Sequence, residues 1–544
     1  MTENRLGLDD ETLGHVLQSL KKVTDRRLDQ SERLRLDGSH EFPMDLVQEM
    51  LGPELGLHLL FLPEDVGGLG GGARDLFRAS EELARVDLGV ATAFLAIALG
   101  IDPIRVGGTA EQKTTWLGKI AEQGLIVAYG VTEPAVGSDV ANIKCTAKPI
   151  TDDGGGVRAY VLEGTKQFIT NGGVAQIYTI LARAPGGPSF FVVERDAPGL
   201  SVGPDENKHG IRASNTTQVI LEDVEVAADQ LLGLEEGKGL AQANAVFGFT
   251  RLMVAAFGLG AGEEALERAV RYGEDRKQFG APLNRKQGYT HKLLVPHAVR
   301  LEAGRAYCEA VAARLDSDEP GLQVEGSVAK LFATEAGNAA ADASIQAHGG
   351  YGYIHEYEVE KIRRDVRITT IYEGTSEIQQ GIIGTNRWRG TVKSKGGFYR
   401  DMAASLRKLE TANGSAEVAA LAAEALAETF LACHKKKLPR QQIVLLELGR
   451  LAAEVETAVA LVTKLATGPE VDTELLEPCA RLHAGAAARE VATTGLHLLM
   501  SSGAFDDAAL AAYREAIDFD ALLASSAGEL ALMDRLVEVL VQRL

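Results

Sequence analysis

Residues 124–139 read GLIVAYGVTEPAVGSD, and the chain changes character across them. Upstream, 74–98 and 110–123 carry apolar side chains at helical spacing with few breakers, so 10–125 reads mainly as helix. A glycine-rich loop, FLPEDVGGLGGG at 61–72, precedes them. Downstream, short β-branched and aromatic runs take over at 125–131, 157–162, 176–182, 189–193 and 217–221. Turn signals bound these runs: DDGGG at 152–156, APGGP at 184–188 and DAPG at 196–199. Helical periodicity returns over 239–272, 288–315 and 321–347, with turns at 280–282 and 318–321. Helices, then strands, then helices predict segregated layers, not alternating βαβ units. The expected fold is mainly α with a central β-domain. Its parts are an N-terminal helical domain (1–125), a middle β-domain (126–235), a helical domain (236–395) and, beyond a Lys- and Gly-rich linker at 393–397, an Ala- and Leu-rich helical extension (396–544).

At 544 residues the chain is too long for one core, which agrees with this division. The net charge of −20 repels phosphate backbones, so no nucleic-acid partner is expected. Cys145, Cys308, Cys433 and Cys479 are far apart and form no C-x-x-C pair, which favours reduced thiols in a cytoplasmic protein over a zinc site or disulfides. Residues 1–10 hold no apolar signal core, and no stretch approaches the ~20 apolar residues that span a bilayer. The apolar run 88–99 reads as a buried helix. His209 and His291 lack metal-spaced partners, so no metal is expected. The basic run HKKKLPR at 434–440 reads as a solvated helix end in preference to an anchor on an anionic membrane.

Four segments carry polar groups in patterns suited to chemistry. YGVTEPAVGSD at 129–139 offers backbone N–H groups and hydroxyls after a strand; alone it reads as a capped turn. QAHGGYG at 346–352 ends a helical stretch; alone it reads as a C-cap, with His348 structural. In DRKQFG at 275–280, Arg276 has the fork geometry to grip a pyrophosphate, or is an exposed Arg at a helix end. In IYEGTSEIQ at 371–379, Glu373 stands where a helix starts, either as a cap or as a base at the mouth of an apolar cavity.

Together, in this order and spacing, the four segments resemble the acyl-CoA dehydrogenase family over about 40–390. FLPEDVGGLG at 61–70 is similar to the family's PEEYGGLG stretch, and QAHGGYGYIHEYEVEKIRRD at 346–365 fits its second signature. The resemblance implies a barrel-like middle domain, a four-helix bundle over 236–395, and FAD as cofactor. Tyr129, Val131 and Thr132 would lie beside the flavin, and Ser138 would reach the pantetheine arm of the substrate. Phe168, in KQFITNG, would cover the ring where many members have Trp, with Ile169 and Thr170 lining it. Arg276, Gln278 and Phe279 would hold the diphosphate and adenosine end, completed by Gln346, Gly349 and Gly350 from a neighbouring subunit of a homodimer or homotetramer. Thr375 and Glu377 would touch the cofactor just past the base, and Arg251 would help bind CoA.

The implied reaction is α,β-dehydrogenation of an acyl-CoA to the trans-2-enoyl-CoA. Glu373 would take the α-proton, and its backbone N–H and a ribityl hydroxyl would bond the thioester carbonyl. Burial would raise the pKa of Glu373 toward working pH. Electrons would pass to an electron-transferring flavoprotein. Ala91, Leu95 and Gly374 complete the substrate set; small and apolar residues at 91 and 95 point to a medium-to-long or bulky acyl group, or simply to helix core. Val136 and Gly248 depart from the family pattern: the first stands where a small residue is usual, the second where a substrate-binding Asp is common. The extension matches very-long-chain members in layout. Alternative readings are an acyl-CoA oxidase or flavin monooxygenase on the same fold, and a non-catalytic assembly or acyl-binding protein.

Overall fold

A computed structural model describes residues 6–468 and 471–543, without the side chains of 247–249. The chain forms two compact units, Met1–Met253 with Ala312–Gln323 and Val254–Val311 with Val324–Leu544.

The first unit opens with α1 (Asp10–Arg27), α2 (Gln30–Ser39) and α3 (Met44–Leu51). Asp9 and Asp29 cap the first two by accepting the Thr12 and Glu32 N–H groups, which satisfies otherwise orphaned donors. α4 (Ala73–Val86) and α5 (Leu88–Gly107) replace the single helix expected over 74–98. Asp87 makes the break: its backbone is extended, and its carboxylate accepts the Val90 N–H at 3.0 Å, starting a new helix. α5 is long and apolar enough to cross a membrane, and so is the helix Gly239–Asp275, which corrects the expectation that no such stretch exists. Most of each is buried within the protein, as in a core helix. α6 (Ala110–Gln123) begins with a reciprocal Thr109–Gln112 capping box and ends at Gly124, whose φ of 60° suits glycine.

The strands are β1 (Val127–Gly130), β2 (Thr146–Thr151), β3 (Val157–Thr170), β4 (Ile177–Ala184), β5 (Gly187–Glu194), β6 (Leu200–Val202) and β7 (Thr216–Ala227). They form one seven-stranded sheet in the order β1-β4-β2-β3-β7-β6, with β5 also on β4. β2 and β6 are additions to the sequence reading; Pro149 in β2 argues against a strand. β3 is twice as long as expected and carries two register shifts against β7, between Leu162 and Gly164 and between Lys166 and Ile169. Such bulges bend and twist a strand, and the sheet curls. α5 packs on its inner face: the Thr179 hydroxyl donates to the Gly100 carbonyl at 3.0 Å, and the Asn171 amide to that of Ala93 at 2.7 Å.

α7 (Gly239–Asp275) carries the chain into the helical unit. A hairpin of β8 (Lys277–Gln278) and β9 (Ala281–Pro282) follows, then α8 (Gln287–Leu293), α9 (Val295–Asp316), α10 (Gln323–His348), α11 (Val359–Val366) and α12 (Ser376–Lys393). The single helix expected over 288–315 is broken at Leu294, and Pro296 sits in the first turn of α9, where its missing N–H costs nothing. α7 and α10 cross closely: a Cβ on Gly337 would stand 1.9 Å from the Gly258 carbonyl oxygen. The extension adds α13 (Gly397–Leu406), α14 (Ser415–Lys435), α15 (Gln442–Thr467), α16 (Thr473–Ser501), α17 (Asp507–Ala516), α18 (Phe519–Ala524) and α19 (Glu529–Gln542).

Candidate active site

In the first unit, the chain leaving β1 is stapled to β3. Glu133 and Val136 exchange backbone hydrogen bonds at 2.9 and 3.0 Å, closing a turn that buries the Val136 side chain. The turn therefore takes up the unusual valine as a core residue. The buried Glu133 carboxylate accepts the Lys144 and Cys145 N–H groups at 2.5 and 2.9 Å and the Lys166 ammonium at 2.7 Å. Lys166, fully buried, also donates to the Val131 carbonyl at 3.2 Å, and the Gln167 N–H donates to that of Thr132 at 2.8 Å. Burial pushes the Glu133 pKa up, but Lys166 and the two N–H donors outweigh it and hold the group below its ordinary value.

This staple ends at the second β3 bulge. There Phe168 has a φ of 58°, a true outlier for a bulky side chain, and its ring is 63% exposed. Ile169 is buried beside it and Thr170 half-buried. Val131 is buried, Tyr129 and Thr132 half-buried and Ser138 exposed. Ala91 and Leu95 are buried in α5. The buried Arg251 donates to the Gln323 carbonyl at 3.3 Å. Gly248 lies outside the described side chains.

In the helical unit, the cap of α12 is Thr375, whose hydroxyl accepts the Ile378 N–H at 3.4 Å, so Glu373 is not the cap. Glu373 instead has a φ of 56°, followed by Gly374 at 91°. Two buried donors hold this turn. The Gln379 amide donates to the Glu373 and Gly374 carbonyls at 2.8 and 3.2 Å, and the Lys330 ammonium to that of Gly374 at 2.8 Å. At a φ of 91° a Cβ on Gly374 would be strained and, 2.5 Å from the Gln379 amide nitrogen, would displace it, so the position suits glycine. The Glu373 side chain is half-buried and that of Glu377 exposed. The pKa of Glu377 is lowered by its own backbone N–H and the Thr375 hydroxyl.

A third group lies at the end of α7. Phe279 and Gly280, the two central residues of the β8–β9 turn, both have positive φ (51° and 79°), the tight-hairpin geometry, which leaves the Phe279 ring 96% exposed. The Arg276 guanidinium stands 5.9 Å from the Tyr351 ring centre. Next to that tyrosine, α10 ends at exposed Gly349 (φ 59°) and Gly350, with Gln346 exposed on its last turn. His348 is buried, contacts the Ser344 carbonyl at 2.8 Å and packs on Tyr272; burial lowers its pKa, so it is structural. Sequence-derived residues thus form local groups around Phe168, around Glu373 and around Arg276, while Arg251 stands beside Gln323, and Ser138 lies on an exposed loop. The residues that hold the first two, Glu133, Lys166, Lys330 and Gln379, were not singled out from sequence. Glu133, Lys166 and Gln379 lie within the quoted motifs, and Lys330 is a charge inside an apolar helical run.

Three family models match in chain order: the acyl-CoA dehydrogenase N-terminal domain at 11–124, the middle domain at 128–224 and the C-terminal domain at 237–387. An acyl-CoA dehydrogenase of Bacillus subtilis is 39% identical over 364 residues, 65% of this chain and 93% of the relative. The caffeyl-CoA reductase-Etf complex subunit CarC of Acetobacterium woodii is 35% identical over 370 residues, 67% and 93% of the two chains. A solved acyl-CoA dehydrogenase from Bacillus anthracis, complexed with FAD, matches with a TM-score of 0.85 over 99% of this chain and 97% of its own, at 24% identity. That last likeness speaks to the fold, and it takes in the C-terminal helices beyond residue 387. By its ordered matches to all three family domains, this chain belongs to the acyl-CoA dehydrogenase family.

Proposed function

We propose that this enzyme oxidises an acyl-CoA thioester to the trans-2-enoyl-CoA, with Glu373 as the base, FAD as cofactor and an electron-transferring flavoprotein as acceptor. The observation that carries the proposal is the left-handed turn at Glu373–Gly374, held by Lys330 and Gln379 while Thr375 does the capping. Strained backbone persists only where the surroundings over-determine it, and here it fixes the position of Glu373 two residues ahead of the Thr375 cap.

The donor set fits FAD. A bulge holds an exposed aromatic ring, Phe168, with Thr170 two residues on in β3 and Thr132 bonded through its carbonyl to the Gln167 N–H, which suits a flat ring with polar edges. Arg276 and Gln278 at the hairpin suit a diphosphate, with Phe279, Gln346, Gly349 and Gly350 offered outward to a second subunit of a homo-oligomer. FAD, held by Phe168, Thr132, Thr170, Arg276 and Gln278, would supply the two-electron oxidant for the hydrogen leaving the β-carbon. Glu373 removes the α-proton, and its backbone N–H is assigned to the thioester carbonyl, where negative charge develops. Ser138 and Arg251 are assigned to CoA, and Ala91 and Leu95 to a medium-to-long or bulky acyl chain. The Etf-complex relationship of the Acetobacterium woodii relative supports the acceptor. Four buried free cysteines suit a reducing, cytoplasmic setting.

The test is anaerobic titration of the FAD-loaded enzyme with butyryl-, octanoyl- and palmitoyl-CoA. Bleaching of the flavin, strongest with the longer chains, is expected, with little peroxide once air and an electron-transferring flavoprotein are supplied. Stoichiometric peroxide would make the enzyme an oxidase, and an unbleached flavin with every thioester would reject the reaction.

A further inference from the structure

The catalytic turn is the near end of a longer mechanical connection. Gln379, whose amide holds the Glu373 and Gly374 carbonyls, lies in the first turn of α12. The next residue, Gln380, meets the C-terminal extension backbone to backbone. A Cβ on Gly449 of α15 would stand 2.2 Å from the Gln380 carbonyl oxygen and 3.0 Å from the Gly384 nitrogen. From the other side, a Cβ on Gly384 would stand 2.2 Å from the Leu445 carbonyl oxygen. At Gly449 and Gly384 the nearest atoms across the crossing are backbone.

Further along the same two helices, Glu456 of α15 accepts two hydrogen bonds from Arg387 of α12, at 2.7 and 2.8 Å. Tyr307 of α9 and Tyr399 of α13 donate to the same carboxylate at 3.2 and 3.0 Å. Arg387 also donates to Glu325 of α10 at 3.0 Å. Burial works against the Arg387 charge, yet Glu456 overrides it and holds the guanidinium pKa above its ordinary value. A buried pair of this kind stabilises weakly for its cost, but its best-attested use is to fix register. The glycine contact sets the distance between α12 and α15, and the Arg387–Glu456 fork sets their rotation and slide.

We propose that α15 of the extension belongs to the catalytic apparatus: it sets the position of Glu373 through α12, with Gly449 and Glu456 as positioning residues. The inference rests on Glu373 being the base. Real Cβ atoms essentially never approach another atom within 3.0 Å, so a methyl at Gly449 must part the helices by most of an ångström. Misplacement on that scale costs up to about 10²-fold in rate.

The experiment compares FAD-loaded, full-length Gly449→Ala with Gly495→Ala. At Gly495, in α16, a Cβ would meet the Tyr513 hydroxyl at 2.3 Å, so this variant loosens the extension away from α12. Both variants are expected to melt earlier. Only Gly449→Ala is expected to lose at least ~10-fold in kcat, at unchanged KM and FAD content, with a shifted acid limb of the kcat–pH profile. Glu456→Gln keeps the shape and hydrogen-bonding oxygen but weakens the fork. It is expected to lower kcat several-fold at unchanged KM, and it decides the matter should Gly449→Ala not fold. Wild-type kcat and pH profile in a folded Gly449→Ala, or in Glu456→Gln where that is the variant that folds, would overturn the proposal. Glu373→Gln is run alongside. Turnover at the wild-type rate in that variant would sink the base assignment and this inference with it, whereas its inactivity beside a fully active Gly449→Ala sinks the inference alone.

Discussion

Among the side chains held at left-handed φ, Phe168 in the β-domain and Glu373 in the helical unit each have a fully buried lysine serving their turn. Lys166 faces a carboxylate, Glu133, and reaches the Val131 carbonyl with a remaining donor. Lys330 spends a donor on the strained turn itself, at the Gly374 carbonyl, where Gln379 joins it. The difference separates two ways of holding a site. In the β-domain the site borrows rigidity from an ion pair that the sheet needs in any case. At Glu373 the hydrogen bonds are aimed at the turn, so with Glu373 as the proposed base their loss is expected first in kcat.

Methionine substitutions put that contrast at risk. Lys166→Met strands a buried Glu133 and is expected to cost about 3–5 kcal/mol of unfolding free energy, read by urea denaturation. Lys330→Met removes one donor from a carbonyl that Gln379 still serves, and is expected to cost about 1–3 kcal/mol while lowering kcat more than a stability loss of that size explains. Equal stability losses, or a Lys330→Met enzyme with wild-type kcat, would erase the distinction.

Acid sharpens it from another side. The folded pKa of Glu133 lies below its ordinary value, so its contribution to stability is complete above that ordinary value and is lost as pH falls through the depressed folded one. Wild-type unfolding free energy is therefore expected to fall in that acid window, and that component is expected to vanish in Glu133→Gln. The smallest effect on stability is expected for Phe168→Ala, within about 0.5 kcal/mol, because the ring is exposed. The same change is expected to shift the absorbance and fluorescence of bound FAD, and an unaltered flavin spectrum would remove Phe168 from its cover.

Much of this architecture is legible in the sequence wherever a signal is local. The β-branched runs that become β1, β4 and β5 are bounded by turn residues, and the long helices carry apolar periodicity. The reading stops where long-range contacts decide. Pro149 hides β2, and Gly164 with its charged neighbours hides the second half of β3, whose bulges exist only against β7. Asp87 looks like one more helical residue until its carboxylate is seen capping Val90. At the site, the motifs are visible but the devices that hold them are not: Lys166 finds Glu133 33 residues away, and Lys330 finds Gly374 44 residues away. No periodicity encodes such pairs, and a positive φ at Glu373 has no sequence signature beyond the glycine that follows it.

The most direct test of the central claim is single-turnover flavin reduction in FAD-loaded Glu373→Gln, with the thioester that bleaches the wild-type enzyme best. A strained turn that exists to hold a base predicts normal FAD content, normal substrate binding and a reduction rate lower by ~10²–10⁴-fold. Reduction at the wild-type rate would show that the α-proton leaves to another group and that the turn serves some other purpose.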